Sequence, residues 1–137
     1  MRLYLDSSVI IYSVEGSAEA RDAVIEWIQE AEGAGQLVTS QLSRLECRVK
    51  PLRERDDLLL ARFDNLFASP GLELRHIDAE IIDRATDIRA RHGFRTPDAI
   101  HLATAVAAEC DTFLTGDRTL VRFEDLHGAL VGSAPTA

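Results

Sequence analysis

Short apolar segments of strand length alternate with longer amphipathic segments along the whole sequence. The segments that read as strands are residues 2–5, 36–39, 72–77, 112–115 and 129–131. The segments between them are long enough for helices that cross from one strand to the next. Strands connected in this way pair in parallel, with helices covering the sheet. The alternation therefore predicts an α/β sandwich built on a mainly parallel sheet.

The helical segments are identified by apolar residues at three- and four-residue spacing. We predict helices at residues 9–14, 17–31, 40–52, 53–68, 78–92 and 96–110, with one short helix inside 116–126. Gly33 and Gly35 are expected to end the second helix, and Pro51 to break or bend the third. Thr96 is the predicted N-cap of the sixth helix, with Pro97 at its first position.

The apolar spacing also predicts which helix faces point inward. The sixth helix reads AIHLATAVAAEC after its first turn and is apolar nearly all round, so it should be buried between other elements. The fourth helix should pack inward through Leu59, Phe63, Leu66 and Phe67. In the third helix the predicted inner face consists of Leu42, Leu45, Val49 and Leu52.

Length, charge and cysteine content restrict the class of protein. A chain of 137 residues is typical of one domain. A net charge of −8 argues against a broad basic surface that grips nucleic acid. Cys47 and Cys110 fit neither a disulfide framework nor a zinc signature. No apolar run is long enough for a membrane span, and the opening MRLYLDSSVIIY is unlike a secretion signal, so we expect a cytoplasmic protein without a membrane partner.

Four acidic residues stand at positions where parallel α/β proteins place function, outside the carboxyl ends of the strands. Asp6 ends the first strand, Asp117 follows the fourth, Asp98 opens the buried helix, and Glu46 flanks the third helix's apolar face. If they converge, they form a negative pocket that needs a cation. Hard oxygen ligands suit Mg²⁺ or Mn²⁺.

Each of these residues also has a simple structural explanation. Asp6 and Asp117 can cap helices, and Asp98 is favoured by the dipole of the helix it opens. Glu46 and Lys50 have the spacing of a surface ion pair. Spacing alone therefore suggests an acidic metal site without indicating its reaction.

Four segments, taken together, resemble the PIN-domain family and within it the VapC-type toxins of toxin–antitoxin pairs. The segments are LDSSVIIY, SQLSRLE, RTPDAIHLATA and TFLTGDRTL, in the family's order and spacing. The resemblance extends over residues 1–131, which we predict to be a single PIN-like domain followed by a flexible tail at 132–137. It implies a three-layer α/β/α fold with four or five strands in the sheet.

The resemblance implies a Mg²⁺- or Mn²⁺-dependent endoribonuclease that hydrolyses RNA phosphodiesters through a metal-activated water. Asp6, Glu46, Asp98 and Asp117 match the family's acidic quartet and become the predicted catalytic and metal-binding residues. Ser7 and Thr115 match supporting hydroxyls, although both also fit ordinary capping or strand-end roles. Arginines near the acids are candidate RNA contacts, in particular Arg44, Arg48 and Arg95. His101, one turn after Asp98, is expected to be a packed core histidine.

The expected partners follow from the resemblance alone. A cognate antitoxin would place a segment in or near the acidic pocket, and a homodimer is expected, with surfaces available on the second and fourth helices. Three alternatives stay open: an inactive binding module of the same fold, a DNA- or flap-directed nuclease of that fold, and another acidic α/β class such as a receiver or aspartate-dependent phosphatase. The phosphatase motif is incomplete, because two serines follow Asp6.

Overall fold

The computed structural model describes residues 1–31 and 36–135 of the protein. Its strands are β1 (Leu3–Leu5), β2 (Leu37–Ser40), β3 (Leu72–Arg75), β4 (Thr112–Thr115) and β5 (His127–Leu130). They form one sheet in the order β3-β2-β1-β4-β5, with every pairing parallel. The predicted α/β class and parallel sheet are confirmed. The predicted fifth strand lay at 129–131, so β5 begins two residues earlier than its apolar core suggested.

Seven helices connect these strands within the described residues. They are α1 (Ser7–Glu15), α2 (Ala18–Glu30), α3 (Gln41–Arg53), α4 (Asp57–Phe67), α5 (Ala79–His92), α6 (Thr96–Ala107) and α7 (Arg118–Val121). The predicted stop at Gly33 and Gly35 lies outside the described residues. No helix in residues 1–31 and 36–135 is long and apolar enough to cross a membrane.

Two hydrophobic cores cover the two faces of the sheet, because side chains alternate along each strand. Leu3 and Leu5 point into a core shared with α1, α2 and α4, whereas Tyr4 between them points into a core shared with α5 and α6. The helix α6 is buried as predicted, since its residues Ala99–Ala105 pack almost without exposure apart from Ile100. The structure is therefore the expected three-layer α/β/α sandwich.

The inward face predicted for α3 is wrong. Its buried residues are Ser43, Cys47 and Pro51, whereas the apolar residues at 45, 49 and 52 are exposed. Small side chains let α3 approach its neighbours closely, and Thr39 contributes a hydrogen bond to the Ser43 hydroxyl at 2.8 Å. Pro51 does not break the helix, which continues to Arg53.

Helix boundaries show which local signals decide the ends. Gly93 adopts the left-handed conformation (φ 72°) and ends α5, as the sequence predicts. The predicted N-cap of α6 is wrong: Arg95 occupies that position without a side-chain cap, and Thr96 is already helical. The predicted helix at 53–68 starts only at Asp57, because the Asp56 carboxylate accepts a hydrogen bond from the Leu59 N–H at 3.1 Å and caps it.

The segment that follows β5 is attached to the domain as far as residue 133. The Val131 N–H donates to the Thr115 carbonyl at 3.0 Å, and the Trp27 indole N–H donates to the Ser133 carbonyl at 2.9 Å. The first part of the predicted tail therefore packs against α2.

The strand order places a topological switch point beside β1. From β1 the chain continues to β2 and β3 on one side and returns to β4 and β5 on the other. At such a point the loops after adjacent strands diverge and leave a crevice at the carboxyl edge of the sheet. Asp6 follows β1 at this edge, and Gly116 and Asp117 follow β4.

Candidate active site

The four predicted acids line one cavity at this crevice. Asp6, Glu46, Asp98 and Asp117 surround a space of about 340 Å³. They come from four different places in the fold: the end of β1, the middle of α3, the first turn of α6 and the loop after β4. The rest of the lining consists of Ser7, Ser8, Ile11, His101 and Leu120. The fold thus brings together residues that are far apart in the sequence.

Asp6 is the most strongly held of the four. It is only 5% exposed and stands at the N-cap of α1. Its Oδ1 accepts hydrogen bonds from the Val9 N–H at 3.1 Å and the Ser8 hydroxyl at 2.6 Å, and its Oδ2 accepts one from the Thr115 hydroxyl. A buried carboxylate with three donors keeps a fixed orientation.

The same hydroxyls join the loop after β4 to the start of α1. The Thr115 hydroxyl accepts from the Asp117 N–H at 3.0 Å, and the Ser8 hydroxyl accepts from the Gly116 N–H at 3.0 Å. Asp117 in turn caps α7, with its Oδ1 accepting from the Thr119 N–H at 2.9 Å. The Thr115 hydroxyl therefore links the Asp6 carboxylate to the backbone of Asp117. Ser8 was missed, although it adjoins Ser7 in the LDSS segment.

Asp98 faces two other carboxylates across the cavity. Burial raises its pKa, and the nearby charges of Asp117 and Asp6 raise it further. Arg95 opposes this effect with its Nε 3.6 Å from Asp98 Oδ2, but that arginine is largely exposed. The site therefore carries more negative charge than its own side chains balance.

Glu46 is held from two sides through one oxygen. Its Oε1 accepts from the Ser7 hydroxyl at 2.6 Å and lies 2.7 Å from the Nε2 of His101. Burial raises the pKa of Glu46, but these two hydrogen bonds, together with the charges of His101 and Arg95, lower it below its usual value. The surface ion pair that the spacing of Glu46 and Lys50 allowed does not form, because Lys50 binds Glu15 at 2.9 Å instead.

His101 is a buried core residue, as expected, and it also lines the acidic cavity. It is 3% exposed, and its Nδ1 lies 2.8 Å from the hydroxyl of Tyr4. Local sequence patterns could not predict this double contact, because Tyr4 lies 97 residues and Glu46 55 residues from His101 along the chain.

The donor set suits a hydrated hard cation better than a tightly coordinated one. Within residues 1–31 and 36–135, no three His, Cys, Asp or Glu side chains lie close enough together to enclose a metal by themselves. Mg²⁺ fits such a site, because it commonly binds one or two carboxylates and keeps several waters. Asp6 and Asp98 offer those carboxylates, with Glu46 and Asp117 at the same cavity.

The three candidate RNA-contact arginines occupy different surfaces. Arg95 lines a second cavity of about 300 Å³ that shares Asp98 and Asp117 with the acidic cavity and also includes Arg122. Arg44 and Arg48 lie in a groove along α3 that shares no residue with the acidic cavity. Arg48 is also engaged, with its Nε 2.9 Å from Asp64 Oδ1 in an ion pair.

Comparison with known families agrees with this geometry. The model of the PIN domain family matches residues 3–126, which include all four acids. The chain therefore belongs to the PIN domain family. No curated protein sequence matches it.

Solved structures of low sequence identity share the fold over almost their whole length. A toxin–antitoxin complex from Klebsiella pneumoniae is 21% identical, with a TM-score of 0.71 and coverage of 96% of this chain and 98% of that chain. VapBC2 from Rickettsia felis, solved with a fragment of its promoter DNA, is 14% identical, with a TM-score of 0.76 and coverage of 95% and 98%. VapC20 from Mycobacterium tuberculosis, a sarcin–ricin-loop-cleaving toxin, is 14% identical, with a TM-score of 0.76 and coverage of 97% and 99%.

Proposed function

We propose that this protein is a Mg²⁺- or Mn²⁺-dependent endoribonuclease and the toxin of a toxin–antitoxin pair. The observation that carries the proposal is the convergence of Asp6, Glu46, Asp98 and Asp117 on one cavity at the switch point of a PIN-family sheet. Asp6 and Asp98 are the proposed principal ligands, with Glu46 and Asp117 contributing directly or through water. When bound, the metal would lower the pKa of a coordinated water and stabilise negative charge on a phosphoryl oxygen.

Glu46 is the residue best placed to take a proton from the attacking water. Both of its hydrogen bonds end on Oε1, and its Oε2 accepts none from the described residues. Its lowered pKa keeps the carboxylate ionised at neutral pH, so Oε2 can accept a proton in the cavity that Glu46 lines. Asp6 is held by three hydrogen-bond donors, so it stays in a fixed position during the reaction and holds the cation at a constant place relative to Glu46.

The substrate's backbone is proposed to approach through the second cavity. Arg95 and Arg122 line it beside Asp98 and Asp117, so a phosphate bound there lies next to the acidic cavity. The guanidinium of Arg122 lies 4.1 Å from the centre of the Phe94 ring and donates to the His92 carbonyl at 3.1 Å, which holds it at the rim. In a chain with net charge −8, such local basic groups are needed to bring a polyanion to the site. Arg44 and Arg48 are placed less favourably, since their groove is separate.

RNA is the proposed substrate, and an antitoxin and a second copy of the chain are the proposed partners. The RNA proposal is supported by the likeness to a sarcin–ricin-loop-cleaving toxin, and the antitoxin proposal by the likeness to toxin–antitoxin complexes. Exposed apolar side chains on α3, at Leu45, Val49 and Leu52, are a type of surface that protein partners bury. The cytoplasm is the proposed location.

The direct test is RNA cleavage by antitoxin-free protein. Total RNA is incubated with Mg²⁺, with Mn²⁺ and with EDTA, using the wild type, Asp6→Asn and Asp98→Asn. Asp22→Asn, which changes an exposed aspartate on α2, is the matched control. We expect discrete cuts with 5′-phosphate and 3′-hydroxyl ends that need metal, disappear in the two site variants and persist in the control.

The remaining outcomes separate the alternatives. Cutting in EDTA would contradict the metal-dependent mechanism. Cutting of DNA or flaps but not RNA would identify a differently directed nuclease of this fold. No cutting by folded wild-type protein that still binds a partner would favour an inactive binding module.

A further inference from the structure

A hydrogen-bonded chain connects the interior of the domain to the candidate general base. It runs from Tyr4 on β1 through His101 on α6 to Glu46 on α3, with successive distances of 2.8 and 2.7 Å. Tyr4 is completely buried and His101 is 3% exposed, whereas Glu46 borders the cavity. This series of hydrogen bonds therefore begins at Tyr4, where water has no access, and ends at Glu46 in the acidic cavity.

The donor and acceptor properties of Tyr4, His101 and Glu46 determine which atom carries the proton in each of these hydrogen bonds; we call this arrangement the proton order. An ionised Glu46 only accepts hydrogen bonds, so the Nε2 of His101 must donate to it. When Nε2 carries the ring proton, Nδ1 is the acceptor of the imidazole, and the Tyr4 hydroxyl 2.8 Å away donates to it. Ser7 completes the end of the chain by donating to the same Glu46 oxygen from 2.6 Å.

We infer that His101, oriented by Tyr4, is a positioning residue that fixes the Glu46 carboxylate with one oxygen engaged and the other directed to the reaction. In metal sites generally, residues that hydrogen-bond to a metal ligand or a catalytic base fix the orientation of that ligand or base. The expected effect of His101 on the rate rests on the proposed nuclease function. The positions of the protons do not, because they are a property of the folded protein alone.

The first experiment tests the proton order without any activity measurement. In protein labelled with ¹⁵N-histidine, long-range ¹H–¹⁵N spectra identify which ring nitrogen of His101 carries the proton. We expect the proton on Nε2 and an acceptor-type Nδ1 in the wild type, and a shifted Nδ1 signal in Tyr4→Phe. A proton on Nδ1 would overturn the inference, whether or not the protein cuts RNA.

The second experiment uses kinetics on protein whose wild type has been shown to cut RNA. His101→Leu introduces an apolar side chain of similar reach and removes both ring nitrogens, and we expect kcat to fall by roughly 10- to 100-fold. His101→Gln restores an amide N–H near the former Nε2 and should recover part of this loss. Tyr4→Phe should lower kcat by roughly fivefold, the factor that corresponds to one hydrogen bond, with KM unchanged.

Thr104→Val is the matched control for disturbance of α6. Thr104 is fully buried on the same helix, but its hydroxyl donates only to the Ile100 carbonyl of its own helix, at 2.7 Å. We expect it to retain wild-type kcat. Wild-type kcat in His101→Leu, or equal losses in His101→Leu and His101→Gln from folded proteins, would show that His101 acts through packing alone. A wild type that cuts no RNA would instead refute the proposed function, and the NMR result would still decide the proton order.

Discussion

Replacing Thr115 with valine removes one hydroxyl beneath the acidic cavity and nearly preserves the side chain's shape. Thr115 is fully buried, and its hydroxyl donates to Oδ2 of Asp6 while accepting from the Asp117 N–H at 3.0 Å. Asp6 is 5% exposed, so water has little access to the oxygen that would lose its donor. Thr115→Val should therefore destabilise the protein through Asp6.

The size of this effect follows from three contributions. A hydrogen bond to a charged group stabilises by about 1.5–3 kcal/mol. The Asp117 N–H lies on an exposed residue, where water can replace the lost acceptor at little cost. The added methyl group contributes up to about 0.8 kcal/mol in the opposite direction through burial. The net loss is about 1–2 kcal/mol, which lowers Tm by roughly 3–6 °C in a domain of this size.

Urea and thermal unfolding in EDTA measure this loss on the metal-free protein. Thr112→Val is the matched control, because Thr112 is buried on the same strand but its hydroxyl contacts only the weak acceptor Met1 Sδ, at 3.5 Å. The control should change stability by less than about 0.5 kcal/mol, and Thr115→Ser should recover most of the loss. Equal stabilities of Thr115→Val and wild type, or equal losses in the two valine variants, would refute the reasoning.

Three further predictions concern stability. Burial raises the pKa of Asp98, so its ionised form opposes folding: Asp98→Asn should melt above wild type in EDTA at pH 7, with the difference vanishing below about pH 4. The pKa of Glu46 is lowered, so its ionised form stabilises the folded state. Glu46→Gln should therefore melt below wild type at pH 7 and at the same temperature as wild type in acid. A change of Tm in the same direction for Asp98→Asn and Glu46→Gln would contradict the two pKa shifts. In Gly128→Ala, the new Cβ would lie 2.7 Å from the Cα of Val121, so urea unfolding should show a loss of about 1–3 kcal/mol, whereas Gly132→Ala, with nothing within 4 Å, should be neutral. A neutral Gly128→Ala would show that α7 moves freely relative to β5.

The sequence predicted the order of elements because each element carries its own local signal. Alternating apolar segments identified all five strands, and Gly93 marked the end of α5 with the conformation that glycine favours. The four acids were also recognisable, because the carboxyl edge of a parallel sheet is where such residues converge. The convergence of Asp6 and Asp117 follows from the topology of the sheet, whereas Glu46 and Asp98 reach the cavity through the packing of α3 and α6.

Features that depend on tertiary contacts could not be predicted in the same way. The rule that apolar residues are buried predicted that Leu45 lies on the inner face of α3, but Leu45 is exposed. Contacts through Ser43 and Cys47 decide instead which face of α3 packs against the domain. The contact of Glu46 also depends on tertiary packing. The i, i+4 spacing allowed an ion pair with Lys50, whereas the packing of α6 brings His101 to Glu46 instead.

Binding of Mn²⁺ to the resting protein tests the central claim most directly, because the metal site connects the fold to the proposed reaction. Electron paramagnetic resonance titrations would compare wild type, Asp6→Asn, Asp98→Asn and the surface control Asp22→Asn. Asp98→Asn is the decisive variant, since it should be more stable than wild type in EDTA, and lost binding then has no explanation in unfolding. We predict saturable Mn²⁺ binding by wild type and Asp22→Asn that weakens at least roughly tenfold in both site variants. Wild-type affinity in Asp98→Asn, or no binding by the wild type, would contradict the assignment of this cavity as a metal-dependent active site.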